Sequence, residues 1–355
     1  MHIPDTLKNL HGSDTFSITD NTKLRAFRAC PRKYFYAYVL HLRTDYANKH
    51  LEFGVAWHLA KEYLLTHGTS DDSVHAAYAL FLSHFRKYFT PDDDIALGAK
   101  SSGNALLGLM EYAKTFGAQN NALQVLETEI AGQVLLDDSY AYSVKIDAVV
   151  RYHDDKLWCL DHKTASQDSR VADAGYAMAA QFMGYTFALR SVYEAEEVRG
   201  ALVDVSVFRT HDTAHKRLLL PYSNEAIEEW LNSVLYYISN LELEFSALAE
   251  ERPDAPTMRA FPQNDNACTD YGICPYFDLC NSHCNPLSCK LPQGYVQQVW
   301  NPHSSNGKDW VPSKILEEGG LREPTPEELA AYRAVIEERD AARAAMQERP
   351  IDLFF

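Results

Sequence analysis

The 355-residue chain is long enough for one large or two ordinary domains, and its 46% hydrophobic content is that of a protein with a packed core. A net charge of -16 excludes a basic surface over the whole molecule, and no apolar run approaches the roughly 20 residues of a membrane span. The N-terminus, MHIPDTLKNLHGSD, lacks the basic and apolar regions of a signal peptide, so a cytoplasmic protein is expected.

Charge is unevenly spread. Between Asp20 and Arg43 six basic residues stand against one acidic residue, so a local positive surface survives in an acidic chain. The segment Thr22 to Leu40, TKLRAFRACPRKYFYAYVL, follows the capping residues Asp20, Asn21 and Thr22 and reads as helix. Pro31, just after Cys30, must start a new helix or kink this one. Glu52 to Thr66 reads as a second helix, and further helices follow over Asp71 to Phe89 and Gly103 to Phe116.

Val125 to Leu136 reads as a strand. Val144 to Thr164, VKIDAVVRYHDDKLWCLDHKT, then reads as two strands joined by a tight charged turn at His153 to Lys156. Asp147 interrupts the apolar run of Ile146, Ala148, Val149 and Val150, and Asp161 follows Leu157 to Leu160 with Lys163 two residues on. Charge in such a setting is costly unless it is paired or bound to metal. Residues two apart in a strand share a face, so Asp161 and Lys163 point one way and His162 the other. A hairpin brings Asp147 beside them, giving two hard oxygen ligands and one ammonium, a set suited to a divalent cation and an activated water. By themselves the same residues also fit a solvent-facing hairpin with a surface salt bridge.

Gly175 to Glu194 reads as one long helix, Ala201 to Thr210 as a buried strand, and Asn224 to Glu250 as a long amphipathic helix. This order predicts an α/β core with a helical insertion. Five cysteines, Cys268, Cys274, Cys280, Cys284 and Cys289, crowd into one short segment, which in a reducing compartment suggests metal or iron–sulfur ligation. Cys30 and Cys159 stand apart, the latter as a small core residue. Beyond Cys289 the chain turns to Pro, Gly and polar residues, then to a charged helix over Thr325 to Arg349, and ends in PIDLFF.

Taken in order, these segments resemble the RecB-like, CRISPR-associated exonuclease-like branch of the PD-(D/E)XK nuclease superfamily. Asp147, then Asp161-His162-Lys163, then Gln181-Phe182-Met183-Gly184-Tyr185 resemble its acidic strand, D/E-x-K and Q-x-x-x-Y. FRACPRKYFYAYV resembles its opening helix, and FGVAWHLAKEYL its G-x-x-x-H segment with Gly54 and His58. CPYFDLC, with Cys274 and Cys280, resembles the segment that completes an iron–sulfur cluster in many of these enzymes. The resemblance runs from about Thr22 to Cys280. It implies a restriction-endonuclease-like α/β fold, with a mixed central sheet flanked by helices. Residues 20–289 would form the nuclease domain, including a helical insertion near 67–120 and the cysteine-rich segment 268–289. Residues 290–355 would form a linker, a charged helix and a hydrophobic tip.

The resemblance further implies that Asp147 and Asp161 bind Mg²⁺ or Mn²⁺, with the His58 imidazole and the main-chain carbonyl of His162 as additional ligands. Lys163 would orient the attacking water or stabilise the transition state, and Gln181 and Tyr185 would work around the active site and the DNA backbone. Glu129 matches an acidic position often found before the hairpin, with Glu127 as its rival. Cys30, Cys268, Cys274 and Cys280 would hold a 4Fe–4S cluster. A zinc site of Cys268, Cys274 and Cys280 with Cys284 or His283 is the alternative, unpaired thiols are a third reading, and Cys284 competes with Cys30 as fourth cluster ligand. Pro350 to Phe354 resembles the short motif by which bacterial replication proteins dock into the sliding clamp through residues such as Ile351 to Phe354; a tail packed on its own domain is the competing reading. The implied activity is hydrolysis of DNA phosphodiester bonds at single-stranded or duplex ends, in replication, recombination or repair. The alternative is an inactive iron–sulfur or zinc protein that binds DNA or a replication partner on the same fold.

Overall fold

Helix starts follow short polar side chains in the computed structural model, which describes residues 14–210, 212–270, 272–288, 292–298, 300, 314–317, 320–331, 333–334 and 337. α1 (Asn21–Ala29) begins at Asp20, whose carboxylate accepts the Lys23 N–H at 2.7 Å. Asn48, Ser70, Ser101 and Ser169 cap α2 (Lys49–His67), α3 (Asp71–Phe85), α4 (Ser102–Asn120) and α5 (Arg170–Ala177) in the same way. α6 (Ala180–Arg190) follows Ala179, which has no side chain to cap it, and α7 (Asn224–Leu248) begins at Ser223. The strands are β1 (Gln124–Leu135), β2 (Ala141–Tyr152), β3 (Lys156–Ala165), β4 (Val198–Phe208), β5 (Thr213–Pro221), β6 (Lys314–Glu317) and β7 (Gly320–Arg322).

The chain divides into two compact units. One holds residues 1–47, 135–143 and 223–302, and the other residues 48–134, 144–222 and 303–355. In the first unit the helix expected over Thr22 to Leu40 breaks at Cys30, which is extended, and restarts at Pro31. It ends in a π turn over Phe35–Val39, where the Leu40 N–H reaches the Phe35 carbonyl at 2.9 Å. The core here gathers Phe27, Tyr34 to Val39, Phe245 and Phe261. Buried Arg32 donates to the main-chain oxygens of Phe261 at 2.8 Å and Met258 at 3.2 Å, satisfying a charge that burial would otherwise leave stranded.

The second unit carries a mixed sheet in the order β7-β6-β1-β2-β3-β4-β5. The pair β2–β3 is antiparallel, β3–β4 parallel and β4–β5 antiparallel. The parallel pair requires a crossover, supplied by α5 and α6. This is the α/β arrangement expected, a central mixed sheet flanked by helices. On one face Leu160 and Leu202 join the apolar cluster of Ala148, Val150 and Trp158, against which Leu65 of α2 packs. On the other face lies α6, whose Phe182, Ala188 and Leu189 are fully buried.

Three expectations are corrected. The helix expected over Gly175 to Glu194 is two, α5 and α6, separated at Met178 and Ala179; the Tyr222 hydroxyl donates to the Ala177 carbonyl at 3.2 Å and so satisfies the end of α5 through a tertiary contact. β5 was not expected as a strand. TAHKRLLLP does not alternate, and it pairs with β4 at the sheet edge. Strands β6 and β7 fall where linker was expected. The charged helix is described only in part, from residue 326, and the hydrophobic tip Ile351 to Phe354 lies outside the described residues. Among the described residues no helix is long and apolar enough to cross a membrane.

α2, α3 and α4 share an aromatic core with Phe208 of β4, built on Phe53, Trp57, Phe81, Phe85 and Leu109. Gly108 of α4 is required by this contact, because a Cβ there would meet the Phe208 ring at 2.8 Å and Trp57 at 3.2 Å. Gly108→Ala should gain about 1 kcal/mol of helix propensity and lose about 1–3 kcal/mol to overpacking. The expected net effect is a lower urea midpoint, and a raised midpoint would show that the aromatic rings give way without cost.

Candidate functional site

The hairpin β2–β3 holds its ladder from the turn up to the pair Ala148 and Leu160, and there the described pairing stops. Asp147 and Asp161 come next on the two strands. The N–H of His162 is taken instead by the Asp147 carboxylate, at 2.8 Å. The strands thus open where the two acids stand, and side-chain oxygen replaces a ladder acceptor. His58, one face of α2 away from its buried aromatics, places Nδ1 at 3.2 Å and 3.1 Å from the two Asp147 oxygens.

Alternation along β3 divides the next residues. Asp161 and Lys163 face α6, with Lys163 Nζ 2.7 Å from Asp161 Oδ2 and 5.5 Å from the centre of the Phe182 ring. Gln181 donates to Asp161 Oδ1 at 3.4 Å and to the Tyr185 hydroxyl at 2.7 Å. Four residues apart on α6, these two side chains share a face as expected. His162 turns to the opposite side of the sheet, where its ring is buried. His58, Asp147, Asp161, Lys163, Gln181 and Tyr185 are therefore gathered in one place, with the peptide of His162 among them.

Electrostatics follow from this crowding. Burial works to raise the Asp147 carboxyl, but His58, by charge and hydrogen bond, together with His162 and Lys163 outweighs it and holds the group below the ordinary carboxylate range. Burial, with Asp147 opposite, lifts Asp161 above its usual value against the pull of Lys163. Burial would lower Lys163, but Asp161 and Asp147 together lift it, so the ammonium is retained. Buried Asp161 and half-buried Asp147 beside the Lys163 ammonium call for further positive charge. Hard oxygens with one imidazole suit a divalent ion such as Mg²⁺ or Mn²⁺. As the side chains lie, no three His, Cys, Asp or Glu among the described residues are grouped closely enough to clasp one ion. His58 and Asp147 are instead satisfied by each other.

Glu129 is buried in β1 with φ +47°, a conformation that costs a glutamate free energy and marks an irregularity in the strand. Glu127 lies near Tyr193, whose hydroxyl it lifts after burial has done so. The sequence reading missed Glu62, one turn after His58 on α2, which accepts from the Thr128 hydroxyl at 3.4 Å and is raised by burial and then by Asp147. Its spacing of four from His58 was the available signal. Also missed was Asp204, although a carboxylate inside the apolar run ALVDVSVF is the same signal that marked Asp147.

In the first unit Cys30, Cys268, Cys274 and Cys280 line one cavity of about 160 Å³. Cys30 ends α1, and its sulfur accepts the Asn264 N–H at 3.4 Å. The Cys274 N–H bonds to the Cys268 carbonyl at 2.9 Å, folding the segment so that both residues line the cavity. Burial pushes the Cys280 thiol up to about 11, with Cys30 and Cys274 adding to the rise. Cys284 is exposed and does not line the cavity. The four thiols line one space, although as the side chains lie no three among the described residues are grouped closely enough to hold one metal ion. Cys159 is buried in β3, where burial raises its thiol.

Comparison with curated proteins found no match. A solved structure titled "Crystal structure of SSO0001" is 14% identical, covers 62% of this chain and 76% of its own, and has a TM-score of 0.27, too slight a likeness to carry argument. The model of the PD-(D/E)XK nuclease superfamily matches residues 21–281, a span that takes in both the opened hairpin and the thiol cavity. With most of its length inside that match, the chain belongs to the PD-(D/E)XK nuclease superfamily.

Proposed function

We propose that this protein is a Mg²⁺- or Mn²⁺-dependent deoxyribonuclease of the RecB-like branch, an exonuclease that hydrolyses phosphodiester bonds at DNA ends in the cytoplasm. The observation that carries the reading is the convergence of His58, Asp147, Asp161 and Lys163 where the β2–β3 ladder opens. Asp147, Asp161, His58 and the His162 carbonyl would hold the ion. The ion, when bound, would polarise the scissile phosphate and lower the pKa of the attacking water.

The remaining work falls to the chain's own groups. Lys163, kept charged by two carboxylates, lies where it can hold a phosphate oxygen and stabilise charge that builds on the phosphorus oxygens in the transition state. Gln181 orients Asp161 and is itself steadied by Tyr185. No module for reading bases was recognised in the sequence; the exposed Arg25 and Arg28 and the half-buried Lys33 suit phosphates of any sequence, whereas Lys23 and Arg32 are buried against main-chain carbonyls and leave the positive surface smaller than expected. The nuclease domain would span residues 20–289, with α3 and α4 as its insertion. Cys30, Cys268, Cys274 and Cys280 would carry a 4Fe–4S cluster that ties the opening helix to the cysteine-rich segment; the cavity they line supports this set over one using Cys284.

Full-length protein purified without oxygen tests both parts. It should be coloured, with about four irons per chain, and an iron-free, colourless preparation would overturn the cluster. Given Mn²⁺, it should degrade linear single-stranded or duplex DNA with labelled 5′ or 3′ ends and spare closed circles. Absence of metal-dependent cleavage on every substrate would overturn the nuclease reading, and equal cleavage of circles would overturn the exonuclease.

A further inference from the structure

On the side of the sheet away from Asp161 and Lys163, the second unit buries a cluster of charge. Asp204 of β4 receives Arg217 Nε at 2.6 Å, a second Arg217 nitrogen at 2.8 Å and the Tyr112 hydroxyl at 2.9 Å, and Lys61 Nζ lies 3.8 Å away. Arg217 also donates to the Asn120 side chain at 2.9 Å, which in turn donates to the Tyr112 hydroxyl at 3.1 Å. The Lys61 and Asp204 side chains are each only 1% exposed. Buried charge of this kind is a poor device for stability, because apolar replacements of equal volume are often neutral or stabilising. Its presence beside a reactive site asks for another role.

The cluster meets the active site at one residue. Asp204 is the register partner of His162 across β3 and β4, and the His162 Nδ1 lies 3.8 Å from Asp204 Oδ2. The His162 ring is 2% exposed, and neither ring nitrogen has a hydrogen-bond partner, so the Asp204 carboxylate is the acceptor that faces Nδ1, with the Lys61 ammonium also acting on the ring. The same ring stands edge-on to His58, with centroids 6.1 Å apart at 87°. The main-chain N–H of the same residue holds Asp147. His162 therefore touches both partners of the His58–Asp147 pair, once through its ring and once through its peptide.

We infer that Asp204 is a positioning residue of the nuclease site, acting through the His162 ring, which it holds against His58 while the His162 peptide holds Asp147. The inference rests on the metal-dependent reading above and adds the part that keeps two of its ligands in register. Outer partners of metal ligands commonly matter in this way, at about 10–100-fold in metal affinity. Tyr112 donates to the same carboxylate but is not among the groups acting on the His162 ring, so it serves as the structural control.

The test is Mn²⁺ binding to the full chain without DNA, by calorimetry, alongside thermal unfolding. Asp204→Asn should weaken Mn²⁺ binding about tenfold, and His162→Phe, which keeps the ring and loses the attraction to Asp204, should weaken it to a similar degree. The double variant should be no weaker than either single one. Tyr112→Phe should lower the unfolding temperature and leave Mn²⁺ affinity as in the wild type. Unchanged Mn²⁺ affinity in Asp204→Asn, additive losses in the double variant, or an equal loss in Tyr112→Phe would each overturn the inference. Should Asp204→Asn fail to fold, His162→Phe decides alone, and unchanged affinity there overturns it. A wild-type chain that binds no Mn²⁺ overturns the underlying metal reading, and is recognised because it fails before any substitution is made.

Discussion

Lys163→Ala should reduce Mn²⁺-dependent DNA cleavage by about 10³-fold or more, while DNA binding measured by fluorescence anisotropy changes little. Loss of one preorganised group that stabilises transition-state charge commonly costs 10²–10³. Two further effects add to that here. Lys163 is the ammonium 2.7 Å from Asp161, and its removal leaves that buried carboxylate facing Asp147 without a counter-charge. The Asp161 pKa should rise further, so protons compete better with the metal. Lys163→Arg keeps the charge but places a planar fork in a space shaped for a compact ammonium beside the Phe182 ring, and should restore only part of the activity. Full cleavage by Lys163→Ala would remove the central claim.

The second large effect is expected at Asp147. Asp147→Asn retains the shape of the side chain and one acceptor oxygen, so the His162 N–H can still be satisfied. The charge is lost, together with the attraction to His58. Stability should change by about 1–2 kcal/mol, whereas Mn²⁺ affinity should fall at least tenfold and cleavage by about 10²–10³. Calorimetry and a rate measurement on one preparation separate the two, and wild-type metal affinity in this variant would exclude Asp147 as a ligand. The remaining acid has a pH signature. Because Asp161 is raised, it takes up its proton as pH falls while still above the ordinary carboxylate range, so the Mn²⁺ midpoint should worsen there, and Asp161→Asn should flatten that part of the profile.

The candidate site was legible where charge broke a pattern. Asp147 and Asp161 sit inside apolar strand sequence, and a two-residue period put Lys163 beside Asp161 and turned His162 away, which is how the side chains lie. Asp204 breaks a pattern in the same way, but no motif surrounds it to mark its role. Lys61 and Arg217 had no such signal, since each becomes significant only when α2 and β5 bring it to one carboxylate. The division of Gly175 to Glu194 into α5 and α6 was likewise hidden, because the residue that satisfies the end of α5, Tyr222, is 45 positions away in sequence.

By itself the sequence determined the class of fold, the hairpin, the cap that starts the opening helix, and the residue types gathered at the hairpin's open end. These depend on local periodicity and on the cost of burying charge, both of which act within a few residues. Only the tertiary structure decided that the β2–β3 ladder stops one pair short of the two acids, and that Asp147 takes the N–H of His162 in place of a ladder bond. It alone decided that four thiols separated by up to 250 residues line one cavity, and that a buried salt cluster backs the active-site strand. Those features arise from contacts between segments far apart in the chain, whose geometry is set by packing and hydrogen-bond satisfaction across the whole unit rather than by any local pattern.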